Sequence, residues 1–316
     1  MKSKSELTDF YYKTLFPTLS KLEEKRKHLL YRIFVVGVLL SLVFIILSSF
    51  LLQKPDFIVF AIFVYIAIGS FLYKLLVKDY TLEFKQNIIK PLIETISQEL
   101  SYNCHHHINE HLFKRSDLFA KPDRISGNDY VSGIVKGTKI EFSDIHAEAR
   151  HKDSKNKESW STLFRGLFIV AEFNKNFNSK TLVLPDSAQS TFGNLIGGWL
   201  QSNNFARDEL VRMDDNEFER EFVVYSKDQI EARYILSHSL MKKLLGLKKK
   251  SKHPLYVSFV GNHIHIAIDY KKDLFEPSIF YSLLDYNIAM EYVGTLHLAL
   301  GIIDELKLNE KIWSKL

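Results

Sequence analysis

The chain has 316 residues, 46% hydrophobic and 25% charged, with 42 Lys and Arg against 37 Asp and Glu, which is the balance of a folded protein of one or two domains. Its one cysteine, Cys104, excludes an intramolecular disulfide and a C-x-x-C metal site and fits a reducing compartment. The pI near 8.9 comes partly from lysines and arginines beside two apolar runs, so it needs no nucleic-acid partner to explain it.

Before the first run, Leu15, Leu19, Leu22 and Leu30 recur at near-helical intervals, with Pro17 acceptable in a first turn. Residues 1–32 therefore read as a cytoplasmic amphipathic helix that enters a membrane. Residues 33–52, IFVVGVLLSLVFIILSSFLL, carry no charge. As a helix at about 1.5 Å per residue they cover roughly 30 Å, one bilayer core. Residues 57–77 form a second span, in which Lys74 lies near one end and can snorkel. The 53–56 turn, QKPD, is too short for anything but a hairpin, and Pro55 removes a donor there. A cleaved signal peptide is disfavoured by the long leading segment with Glu6, Asp9, Glu23 and Glu24, and by the lack of an A-x-A-like site.

Lys13, Lys21, Lys25, Arg26, Lys27 and Arg32 precede the first span, Lys74, Lys78, Lys85 and Lys90 end or follow the second, and the turn holds Lys54 alone. The positive-inside bias then puts both termini in the cytoplasm and the turn outside. Gly37 and Ser41 form a small-xxx-small pair that would let the helices approach. No ionisable residue lies mid-span, so a proton relay has no candidate. Residues 78–100 continue as a cytoplasmic stalk helix with Ile89, Leu92, Ile96 and Leu100 on one face and a kink expected at Pro91.

Residues 101–316 read as a mixed α+β domain. DYVSGIVKGTKIEFSDI predicts a hairpin turning at Lys136-Gly137, and HKDSKNKES, residues 151–159, a polar loop. LFRGLFIVAEFNK and KTLVLPD predict strands, whereas residues 187–202 fit a weak helix or an ordered loop. EFEREFVVYS reads as a strand and IEARYILSHSLMKKLLGL as one helix stopped by Gly246. PLYVSFVGNHIHIAIDY is a hairpin turning at Gly261-Asn262, with His263 and His265 expected on a solvated face. EYVGTLHLALGIIDELKLNEKIW reads as a final helix.

Four stretches carry a resemblance: LFRGLFIVAEFNKNF at 163–177, DDNEFEREFVVYSKDQIEARYILSHSLM at 214–241, LFEPSIF at 274–280 and IIDELKLNEKIW at 302–313. They resemble the bacterial membrane protein family known as domain of unknown function 3137. The resemblance implies a membrane hairpin followed by a mixed domain, and it implies no reaction, ligand or catalytic residue.

The sharpest local motif is HINEH, 107–111, which fits the H-x-x-E-H pattern of one class of zinc peptidases. That chemistry needs His107 and His111 on one helix face, Glu110 as general base and a third ligand from elsewhere, for which Glu172, Glu209 and Glu231 are available. A helix capped by Asn103 would satisfy the first condition. A second feature is MKKLLGLKKKSKH, 241–253, whose Lys248 to Lys252 run could meet anionic lipid or merely complement a helix C-terminus. No Walker loop, G-x-S-x-G or dinucleotide fingerprint is present. The favoured reading is a membrane-anchored, non-enzymatic binding or scaffold protein with the lipid bilayer and an unknown protein, or a second copy of itself, as partners. A metal-dependent hydrolase built on His107, Glu110 and His111 and an anionic-lipid-binding module are the alternatives. No cofactor and no catalytic residue is assigned.

Overall fold

The computed structural model of the protein describes residues 9, 11–51, 55–152, 156–173, 176–186 and 209–306. The chain divides into two compact units: the residues up to Leu92 with Phe275–Tyr292, and Ile93–Leu274 with Val293 onward.

In the first unit a π-helical turn, Tyr11–Leu15, leads into α1, Phe16–Leu51, and α2 follows as Pro55–Phe84. Both helices are long and apolar enough to cross a membrane. The Ser41 hydroxyl lies 2.9 Å from that of Tyr65, and the rings of Phe44 and Tyr65 are 4.8 Å apart. Far down the same pair, Lys25 bonds Glu83, so the helices run antiparallel. The expected close approach at Gly37 is absent, since a β-carbon there would meet nothing within 4 Å, whereas one on Gly69 would rest 3.6 Å from Leu40. The contact at this level is made by side chains instead, through the Ser41 and Tyr65 hydroxyls and the Phe44 and Tyr65 rings. Phe34, Phe60 and Phe63 are each more than two-thirds exposed.

After α2 the ladder widens into a second π-helical turn, Lys85–Ile89, before α3, Lys90–Ile96. The irregularity expected at Pro91 thus takes the form of a π-helical turn just ahead of it, where the proline offers no N–H to the preceding turn and crowds it. Phe275–Tyr292 folds into this same unit through buried Phe275, Ile279 and Leu283. Arg26 and Glu23 on α1 form a buried pair through two hydrogen bonds of 2.8 and 2.7 Å. Arg26 also donates to the Ile279 carbonyl at 2.8 Å and Glu23 accepts from the Leu283 N–H at 3.0 Å. Lys85 pairs with Glu276 at 2.6 Å, and the rings of Phe84 and Tyr292 lie 5.3 Å apart.

The second unit is built on an antiparallel sheet: β1 Leu100–Asn103, β2 Arg124–Val135, β3 Thr138–Lys152, β4 Glu158–Glu172, β5 Thr181–Pro185, β6 Glu209–Val211, β7 Phe222–Ser226, β8 Leu255–Val260 and β9 His263–Ile268. Their order is β1-β2-β3-β4-β9-β8-β5-β7-β6, so the β8–β9 hairpin is inserted between β4 and β5. Helices α4 Glu110–Arg115, α5 Asn216–Glu221, α6 Gln229–Ile235, α7 His238–Ser251 and α8 Tyr286–Leu306 complete the described elements. One face of the sheet carries a core of Phe164, Phe168, Leu182, Leu184 and Ala267 with Phe113 and Leu118 from the α4 region. The architecture is α+β, as read from the sequence.

Several local expectations are corrected. Strands β3 and β4 continue far into the polar 151–159 segment, pairing Lys152 with Glu158, because cross-strand ion pairs from Arg150 and Lys152 to Glu158 serve where apolar anchors are lacking. EFERE is helical rather than extended: Asp215 accepts from the Glu217 and Phe218 N–H groups and caps α5, and the strand begins only at Phe222. The single helix expected over 230–247 is two, because Leu236 leaves helical geometry and Ser237 caps α7 anew. Gly246 does not stop α7, which runs on to Ser251 and ends with Lys252 in the left-handed region at φ 58°. The weak helix or ordered loop expected over 187–202 lies outside the described residues.

Candidate functional site

The HINEH stretch does not form the helical pair its spacing suggested. Asn109, not Asn103, is the cap: its side-chain oxygen accepts from the His111 N–H at 2.8 Å, and α4 begins at Glu110. His107 therefore precedes the helix and lies 2.7 Å, through Nδ1, from the Ile108 carbonyl. The buried Ile108 fixes this entry, its N–H donating to the Ser143 hydroxyl on β3 at 3.0 Å. Glu110 is taken up by Lys114 one turn on. The candidate third ligands are dispersed as well. Glu231 accepts from the Asn178 and Ser179 N–H groups at 3.1 and 2.8 Å, Glu209 accepts from Gln229 at 2.6 Å, and Glu172 faces His263 across β4 and β9. Among the described residues no group of three His, Cys, Asp or Glu is placed to hold a metal ion.

His263 and His265 also depart from expectation. Both faces of the central strands are covered, so His265 is fully buried between Val170 and Ser258. Its Nδ1 is 3.4 Å from the Ser258 hydroxyl, and its Nε2 has no hydrogen-bond partner among the described residues. The His263 and His265 rings are 6.1 Å apart. Burial pushes the His265 imidazole down to about 3, helped by its neighbour His263 and by Arg115. Burial and then Arg115 lower His263 too. The Arg115 guanidinium sits over the β8–β9 turn, where a β-carbon on Gly261 (φ 63°) would come within 2.7 Å of it. The His265 imidazole is accordingly neutral near pH 7 and acts as part of the core, with His263 at its partly exposed margin.

The lysine run has a more definite setting. Pro185, Leu245, Pro254, Glu221, Lys248, Lys249, Lys252 and His253 line a cleft of about 320 Å³ at the C-terminal end of α7. Lys248 bonds the Glu221 carboxylate and lies 5.2 Å from the centre of the Phe222 ring. Lys242 and Lys249 clasp Glu217 at 2.9 and 2.8 Å, and the hydrogen bonds from Lys249 and then Lys242, reinforced by their charge, hold that carboxyl down to about 2. Lys248 and Lys249 of the run, and Lys242 before it, are thus compensated by α5, and the remaining α7 terminus favours cations on its own account. Lys252 makes no ion pair among the described residues. The sequence could not show this, because the compensating carboxylates lie 25 to 32 residues upstream.

A further surface was not foreseen. Strand β6 is the last of the sheet and, among the described residues, pairs only with β7. Leu210 on β6 is 40% exposed, and Ile230 and Tyr234, one turn apart on α6, are 82% and 55% exposed. The Gln229 to Glu209 bond ties α6 to β6. The strand edge and the exposed Ile230 and Tyr234 of α6 are therefore neighbours, tied through Glu209, while Leu210, the next residue on β6, faces the other side of the sheet. The signal available in sequence was Ile230 and Tyr234 at i and i+4, which reads equally well as a core face.

Residues 162–308 match the profile of the family described as "Protein of unknown function (DUF3137)", the family that the four quoted stretches resemble. No curated protein matches the chain. Among solved structures, the chain is similar to the mycobacterial trehalose monomycolate transport factor A, TtfA, at 11% identity and a TM-score of 0.34, over 69% of this chain and 94% of that one.

Proposed function

We propose that the chain is a two-pass protein of the bacterial inner membrane, with both termini and the α+β domain in the cytoplasm, and that the domain is a non-catalytic platform for a protein partner. The β6 edge, with the exposed Ile230 and Tyr234 of the neighbouring α6, carries the binding part of this reading. A sheet edge can be extended by an incoming strand, with the flanking apolar residues supplying contact area. The anchoring part is supported by the outward-facing apolar side chains of α1 and α2, whose exposure is costly in water and expected in lipid.

Anchoring and binding are tested separately in the full-length protein. In a Cys104→Ser background, an impermeant maleimide should label Gln53→Cys from outside intact inner-membrane vesicles of native orientation, and Lys4→Cys only after permeabilisation; the reverse pattern would overturn the topology. A photocrosslinking amino acid at position 230 or 234 should give a discrete adduct, with either another protein or a second copy of the chain, that is lost when the other of the two positions is replaced by Asp. Absence of any adduct at both positions would refute the platform.

The cleft at Lys248, Lys249 and Lys252 supports a second reading, binding of anionic headgroups, which predicts salt-sensitive association with anionic vesicles. The Glu217 and Glu221 contacts leave it less free charge than the sequence suggested.

A further inference from the structure

The loop at residues 275–285 extends the anchoring reading and depends on it, since its setting has meaning only where α1 and α2 span a bilayer. Within the first unit the loop is tied to the two long helices and the turn after them at fixed points. The Ile279 carbonyl accepts from Arg26, the Leu283 N–H donates to Glu23, and Glu276 pairs with Lys85. Phe275, Ile279 and Leu283 point inward and are buried, whereas Phe280 and Tyr281, between the two tie points on α1, are 67% and 73% exposed. The Tyr281 N–H donates to the Ser278 hydroxyl at 3.0 Å, which closes a turn at the tip. Two large aromatic side chains are thereby held outward by a loop whose flanks are fastened. A loose loop would fold such side chains back onto itself.

The tie points also set a height. Arg26 lies seven residues before the uncharged run that starts at Ile33, and Lys85 lies eight residues after Val77. At about 1.5 Å per residue, both are roughly 10–12 Å from the ends of the hydrocarbon-length segments. The headgroup zone extends about 5–8 Å beyond the hydrocarbon, and an aromatic side chain reaches across the remaining gap. Tyr31 and Phe34, also exposed, mark the same interface on α1. Lys27, Arg32, Lys74 and Lys78 surround that level with positive charge, as is usual on a side facing anionic headgroups.

We infer that the 275–285 loop is an interfacial membrane anchor that places Phe280 and Tyr281 in the lipid headgroup layer. It would be a third point of attachment besides the two spans. Tyr and Phe at such a depth gain from the apolar burial of the ring, and the tyrosine hydroxyl stays in reach of water and headgroups.

The test uses full-length protein carrying Cys104→Ser, reconstituted in vesicles of phosphatidylcholine and phosphatidylglycerol. A nitroxide is attached at Phe280→Cys or Tyr281→Cys, and collision rates with oxygen and with a water-soluble nickel chelate are read by power saturation. Ile46→Cys in α1 and Lys157→Cys in the β3–β4 connection serve as lipid and water references. The expected result at 280 and 281 is loss of nickel accessibility with gain of oxygen accessibility relative to 157, to values between the two references. Accessibility at 280 and 281 equal to that at 157, with 46 reading lipid, overturns the loop anchor and leaves the spans standing. Loss of accessibility to both reagents would mean contact with protein, including a second copy, and likewise overturns it. If 46 itself reads water, the spans fail and the loop anchor with them.

Discussion

Replacing Arg26 by alanine tests whether the buried pair on α1 fastens the 275–285 loop. Arg26 and Glu23 meet through two bonds of 2.7–2.8 Å, with side chains only 8% and 5% exposed, and each also binds the loop backbone. Truncating one partner strands the other charge in a poorly solvated place, at a cost of about 3–5 kcal/mol. At about 1.4 kcal/mol per factor of ten, local opening should become roughly two to three and a half decades more frequent. Amide hydrogen exchange of the full-length protein in detergent, read on peptides from 275–285, reports this directly, since the Leu283 N–H is one of the bonded groups. The double variant Glu23→Gln, Arg26→Met removes both charges and keeps an acceptor for Leu283, so much of the protection should return. Unchanged exchange in the single variant, or a rise spread equally over the β-sheet peptides, would refute the proposed fastening.

Acidification should weaken the fold through His265. Its folded pKa lies below the unfolded value, so its contribution is complete above about pH 6.5 and is lost as pH falls toward 3, by up to about 5 kcal/mol; His265→Leu should flatten denaturant stability measured between pH 6.5 and 4, and an unchanged slope would exclude His265 as the source. At Gly166 a β-carbon would stand 2.3 Å from the Ile268 carbonyl, so Gly166→Ala should lower stability by about 1–3 kcal/mol, read as a lower Tm. Gly137→Ala, which meets nothing but has φ 79°, should cost about 1–2 kcal/mol for backbone strain alone. Purified protein should hold less than stoichiometric zinc, and His107→Ala should not change that content; one equivalent lost in both His107→Ala and His111→Ala would restore the hydrolase reading.

Elements governed by neighbours in sequence were legible. The two apolar helices, the 130–142 hairpin and the 255–268 hairpin follow from charge, alternation and turn residues that lie within a few positions of one another. The errors arose where a local choice was close. In DDNEFEREF both a strand and a short helix satisfy Phe218 and Phe222. The cap from Asp215 and the packing of those two rings at 5.0 Å decide for the helix. Likewise Ser237 could sit inside a helix or start one, and its hydroxyl accepting the Leu240 N–H starts one. Both caps were present in the sequence and could have been read.

What could not be read is whatever depends on distant partners. HIHIAI alternates in a way that suits one wet face, and only the covering of both faces of β9 buries His265. HINEH has metal-ligand spacing only if the helix begins before His107; Asn109 captures the His111 N–H instead, and the spacing loses its geometric meaning. The loop at 275–285 is the furthest case, because Arg26 and Ile279 are 253 positions apart. No local pattern can announce a contact at that separation, and what the fold supplies there is a buried charge pair with backbone contacts from both partners. Phe280 and Tyr281 look like ordinary core aromatics in the sequence, and only the fastening of their neighbours makes them a surface.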